Sequence, residues 1–190
     1  MIAIHECGHY LAGGAVGVPW RSMRIRLLTF PQHIALRGGD RWLSPISDHK
    51  DFVAAASSVL RTRCHRIAFI SGGLLMQTAA FVSVISILVL TGAPRYWLIP
   101  IAATLAAMPP VYLAADLAAT LFRRKSLGDF SALWKLAPVA SISVTILVLA
   151  VHCGGFFYAL SRPKALAPPP TSVTDHAGAR SAPDTVAAHS

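Results

Sequence analysis

From Ile67 to Thr91 the chain runs for 25 residues without a charged side chain. An α-helix needs about 20 apolar residues to cross the hydrocarbon core of a bilayer. Lipid satisfies no backbone N–H or C=O, so such a stretch has to be helical. Two more segments have the same character: Tyr96 to Phe122, with one charge at Asp116, and Pro138 to Leu160, interrupted only by His152. A fourth, Met1 to Pro19, is apolar apart from His5, Glu6 and His9. Only 13% of the residues are charged and 54% are hydrophobic, where a soluble domain carries about 25% charged residues. The expected fold is an all-α polytopic membrane protein. It has about four transmembrane segments, over 1–19, 67–91, 96–122 and 138–160, within an integral membrane domain spanning 1–160. The first segment has no basic n-region and reads as the remainder of a helix that begins upstream.

The loop of residues 20–66 carries nine Lys/Arg against three Asp, and Arg123, Arg124, Lys125 and Lys135 follow the third segment against Asp129. The turn between the second and third segments has only Arg95. Positive-inside logic puts the two basic loops in the cytoplasm. The net charge of +9 is therefore mostly a topology signal. A nucleic-acid partner is not expected, because no basic face with interleaved aromatics is present. The lipid bilayer is the expected environment, in a multi-pass protein of a bacterial inner (plasma) membrane.

Ser22 to Leu27 alternates polar and apolar residues, as a half-exposed strand does. Leu27 to Leu36 is placed to pair back on it, with Phe30-Pro31 near the turn and Gly38-Gly39 at the end, giving a short β-hairpin-like cytoplasmic loop. Asp51 to His65 reads as a basic amphipathic helix on the membrane surface. Residues 161–190 contain Pro168-Pro169-Pro170 and read as a disordered tail. Cys7, Cys64 and Cys153 form no close-spaced pair, so no disulfide framework is indicated.

The only glutamate in the chain lies between two histidines, in His5-Glu6-Cys7-Gly8-His9. On a helix the imidazoles of His5 and His9 share a face and can hold one metal ion, with Glu6 beside them as a general base. Cys7 points off that face and reads as a packing residue. Gly8-x-x-x-Ala12 and Gly13-x-x-x-Gly17 make a stripe along which a neighbouring helix can approach closely. Catalytic zinc sites use three protein ligands, and glutamate is exhausted. The candidates for the third ligand are Asp116, the sole charge inside the third segment, and Asp129. His9 lies roughly 13 Å and Asp116 roughly 10 Å from the cytoplasmic ends of their segments, at 1.5 Å per residue. Depth thus favours Asp116 if the helices are straight. A break at Met108-Pro109-Pro110 would instead let residues 116–136 re-enter the membrane.

Ile4-His5-Glu6-Cys7-Gly8-His9-Tyr10-Leu11-Ala12, followed by Gly17-Val18, resembles the first motif of site-2-protease-like intramembrane metalloproteases. Ser71-Gly72-Gly73-Leu74-Leu75-Met76-Gln77 resembles the family's Gly-Pro helix, with Gly73 where proline is usual and Gln77 near the usual asparagine. Asp129-Phe130-Ser131-Ala132-Leu133-Trp134-Lys135-Leu136 resembles its Asp-Gly motif, with Phe130 in place of glycine. The resemblance covers roughly residues 1–137. It implies a Zn2+ endopeptidase that cleaves membrane-protein substrates in or near transmembrane segments. His5, His9 and Asp129 would be the metal ligands and Glu6 the catalytic base. The leucines at Leu133 and Leu136 repeat the family spacing, and on that pattern Asp129 is chosen over Asp116. The departures at Gly73 and Phe130 motivate an alternative, a catalytically inactive relative that binds membrane partners.

Overall fold

The computed structural model describes residues 1–29, 31–123 and 128–162. The tail expected over 161–190 therefore falls almost wholly outside the described residues, as do Arg124 and Lys125 of the second basic loop. The described part is mostly helical, with a small antiparallel sheet. In chain order it comprises α1 (Ile2–Ala15), a 3-10 turn (Trp20–Ser22), β1 (Met23–Arg26), β2 (His33–Gly38), β3 (Arg41–Leu43), α2 (His49–Val59), α3 (Arg63–Leu90), α4 (Arg95–Arg123), α5 (Asp129–Leu136) and α6 (Pro138–Ser161).

Three helices are long and apolar enough to cross a membrane: α3, α4 and α6. Their outward faces carry large apolar side chains, among them Ile87, Val111, Leu117, Leu121, Val139 and Ile146, all exposed. Water would not tolerate so continuous an apolar exterior, whereas lipid does. α1, the expected first segment, has 14 residues in this chain, about 21 Å of helix, and is not among these three.

The helix ends follow local chemistry. Thr62 caps α3 by accepting the amide of His65 at 3.1 Å, a side-chain acceptor for an otherwise orphaned donor. That cap corrects the expected helix over Asp51–His65. The chain breaks after Val59, and Arg63-Cys64-His65-Arg66 forms the first turn of α3 instead. At the other end of α3, Gly92 takes φ +68°. Its amide and that of Ala93 bond back to Val89 and Leu88 at 3.1 and 2.8 Å, the Schellman closure that a positive-φ glycine permits. α4 stays helical through Pro100, Pro109 and Pro110. The expected break at Pro109-Pro110 is therefore absent, and residues 116–123 continue the same helix.

The hairpin acquires a third strand. β1 pairs antiparallel with β2 in the register Met23–Leu36 and Arg26–His33, and β2 pairs with β3 through Leu36–Leu43 and Gly38–Arg41. Met23, Ile34, Leu36 and Leu60 form a core with Val18 and Phe69, so the sheet is packed onto the ends of α1 and α3. Before α2, the Ser47 hydroxyl and the Ser44 amide hold the half-buried Asp48 carboxyl below the usual carboxylate range. A second core joins Phe81 and Ile85 of α3 to Leu98 and Ala102 of α4 and Ala159 of α6. A third sets Phe130 of α5 between Leu74 of α3 and Val148 of α6.

Candidate metal centre

At Gly8 and Gly72, α1 packs on α3 more closely than even an alanine methyl would allow. A Cβ added to Gly72 would fall 2.5 Å from the Ala12 Cβ and 2.7 Å from the Gly8 carbonyl oxygen. One added to Gly13 would meet the Met23 sulfur and the Phe69 ring. Gly8, Ala12 and Gly13 of the small-residue stripe read from the sequence thus face α3, whereas Gly17 lies beyond the end of α1 and makes no such contact. The close packing brings the polar face of α1 against Phe69 and Gly73.

Against that face, His5, Glu6 and His9 are all buried, while Cys7 is exposed. The two imidazoles meet nearly edge-on, with centroids 4.8 Å apart. His9 Nδ1 lies 2.8 Å from the Phe69 carbonyl oxygen. A carbonyl only accepts, so Nδ1 carries the proton and donates, and Nε2 presents a lone pair. The two Nε2 atoms stand 3.2 Å apart. Asp129 Oδ2 lies 2.8 Å from His5 Nε2 and 3.1 Å from His9 Nε2.

Asp129 reaches this point because α5 is held at its start by α4. The Asp116 carboxylate accepts the Gly128 amide at 3.1 Å, the Ser131 amide at 2.8 Å and the Ser131 hydroxyl at 2.7 Å. Asp116 therefore does the work of an N-cap from another helix. Gly128 leaves room for it, since a Cβ there would overlap the Asp116 carboxyl. The amide of Asp129 donates to the Tyr112 hydroxyl at 3.3 Å. At the far end of α5, the Arg63 guanidinium donates twice to the Leu136 carbonyl, at 3.1 and 2.7 Å.

The structure thus brings together His5, His9 and Asp129, and it takes Asp116 out of the ligand set. Among the described residues, these three form the group of His, Cys, Asp or Glu side chains able to hold a metal ion. His5 Nε2, His9 Nε2 and Asp129 Oδ2 stand 2.8–3.2 Å apart, distances that a proton on His5 Nε2 bridges when no ion is bound and that one small cation among them would also satisfy. Ligand atoms around tetrahedral zinc, at about 2.0–2.1 Å from the ion, stand roughly 3.3 Å apart. The donor set of two nitrogens and one oxygen also suits zinc. The absence of a side chain at Gly73 keeps the space open. A Cβ there would sit 2.5 Å from His9 Nε2 and 2.8 Å from His5 Nε2. The residues present therefore fit a metal ion.

Several contributors escaped the sequence reading. Tyr112 lies one helical turn before Asp116, on the same face of α4, and that spacing was a usable signal. The Phe69 carbonyl, the Ser131 hydroxyl and the Arg63 clamp carry no signal in the sequence, because each acts across a tertiary contact. No protein-family model, no curated protein and no solved structure matches the chain.

Proposed function

We propose that this chain is a zinc-dependent intramembrane endopeptidase of the site-2-protease type, in a multi-pass protein of a bacterial inner membrane. The observation that carries this assignment is the convergence of His5 Nε2, His9 Nε2 and Asp129 Oδ2 within 3.2 Å of one another, beside the buried Glu6. His5, His9 and Asp129 would hold the ion. Bound there, zinc supplies Lewis acidity to the scissile carbonyl and acidifies water.

The chain's own groups supply the rest. Glu6 takes one proton from the attacking water as the water oxygen bonds to the carbonyl carbon. It returns that proton to the amide nitrogen as the carbon–nitrogen bond breaks, so that a carboxylic acid and an amine leave, and the acid's remaining proton then passes to the amine. The Phe69 carbonyl fixes the orientation of His9 and its Nδ1–H tautomer, and the α4–α5 contacts hold Asp129 in place. The substrate is a transmembrane helix of another protein, unwound locally to expose one peptide bond. Three long apolar helices around the centre suit a substrate that arrives through lipid.

The test is cleavage of dye-quenched transmembrane peptides by purified protein in detergent, wild type against Glu6→Gln, with zinc content measured on both. The expected result is one zinc per chain in both proteins and cleavage by the wild type alone. Equal cleavage by the two proteins refutes the role of Glu6. A folded wild type that takes up no zinc refutes the enzyme assignment.

A further inference from the structure

We infer that Tyr112 is the group that donates a hydrogen bond to the carbonyl oxygen of the bond being cleaved; this rests on the endopeptidase assignment above. Peptide hydrolysis builds negative charge on that oxygen as water adds to the carbonyl carbon. A donor aimed at it in a water-poor site stabilises the transition state more than the ground state. The donor need not transfer its proton, so the water and Glu6 still account for every proton moved.

Suitable neutral donors are few around the three ligands. The chain contains no asparagine. His9 Nδ1 is committed to the Phe69 carbonyl, and Ser131 Oγ donates within 2.7 Å of Asp116 Oδ1. Tyr112 stands at the centre itself. Its ring packs edge-on against His5, with centroids 5.6 Å apart at 71°. Its oxygen accepts the backbone amide of Asp129 at 3.3 Å. The phenol oxygen thereby touches the backbone of one ligand while its ring touches another.

The accepted amide uses one lone pair of the phenol oxygen and leaves its own hydrogen to donate. Phe130 also packs against the ring, at 5.8 Å between centroids. The ring is thus held by contacts with His5 and Phe130, and rotation about the C–O bond remains to the hydroxyl. Two rungs of helix hydrogen bonding are missing just before Tyr112, because Pro109 and Pro110 have no N–H.

A merely structural tyrosine would look the same in a stability measurement, so the test needs readouts that such a role leaves alone. Full-length wild type, Tyr112→Phe and Glu6→Gln would be compared in detergent for zinc content, for kcat and KM on dye-quenched transmembrane peptides, and for affinity to a peptide phosphonate. The phosphonate is a tetrahedral anion whose oxygen takes the place of the developing charge. Tyr112→Phe keeps the ring contacts and loses only the hydroxyl. The expected result is unchanged zinc content and KM, a kcat about 10²-fold lower, and phosphonate affinity about tenfold or more weaker. An unchanged kcat in Tyr112→Phe, with Glu6→Gln inactive, overturns the role of Tyr112 and leaves the endopeptidase assignment standing. Loss of zinc from Tyr112→Phe overturns it too, since the hydroxyl would then act by holding Asp129. A zinc-loaded wild type without Glu6-dependent cleavage overturns both.

Discussion

Asp116 accepts both the amide and the hydroxyl of Ser131, at 2.8 and 2.7 Å. One carboxylate of a long apolar helix thus organises the first turn of the short helix that carries Asp129. A charge within such a helix is costly unless it is partnered, and here three donors from Gly128 and Ser131 satisfy it.

Asp116→Ala should therefore weaken metal binding without removing a ligand. The Gly128 and Ser131 amides would lose their acceptor, at about 1–3 kcal/mol for each donor left buried. Loss of an orienting partner typically reduces metal affinity about 10–100-fold. Zinc competition against a chelator, on purified wild type and variant, measures this. An unchanged affinity would mean that α5 is held by its other contacts alone.

Gly73→Ala should abolish metal binding in a folded protein. The new methyl would occupy the space 2.5 Å from His9 Nε2, where the imidazoles turn their lone pairs. Zinc content by atomic absorption should fall to background while the circular dichroism spectrum stays helical. Full zinc occupancy would show that α3 can retreat from α1.

Gly8→Leu should separate α1 from α3. Gly8 faces the Gly72 backbone, and overpacking a tight contact commonly costs about 1–3 kcal/mol. A lower midpoint of thermal unfolding in detergent is expected, together with loss of zinc. Gly154→Leu is the control, since nothing lies within 4 Å of a Cβ at Gly154. An equal loss in both variants would point to a general membrane-helix effect.

Arg63→Met should loosen the far end of α5. The guanidinium makes two bonds to the Leu136 carbonyl, and methionine keeps the apolar stem without either donor. Faster hydrogen exchange in residues 129–136 is expected, with a smaller loss of zinc affinity than Asp116→Ala gives. Exchange matching wild type would assign the anchoring of α5 to its core contacts.

The long helices were legible because lipid imposes a crude rule: about 20 residues without charge. Their bounds came within a few residues of α3, α4 and α6. The histidine pair was legible for a similar reason, since a four-residue spacing fixes a shared face wherever the helix lies. β3 was not, because Arg41-Trp42-Leu43 is too short to display a period of two. α5 was not, because its eight residues owe their place to Asp116 and Arg63 in other helices. The choice between Asp129 and Asp116 shows the limit most plainly. Depth reckoned along straight helices favoured Asp116. What decided the geometry was that Asp116 turns toward α5 and spends its lone pairs there, leaving Asp129 to face the histidines.

His5 and Asp129 are 124 residues apart in the sequence, yet their side chains meet at 2.8 Å. An ion gripped by both would act as a seal across the whole fold: none of the preceding helices can hold it until α5 has docked. By mass action the bound ion would stabilise the docked state over any state in which α5 has come loose. Stripping the ion should free the short helix first and leave the three long ones in place.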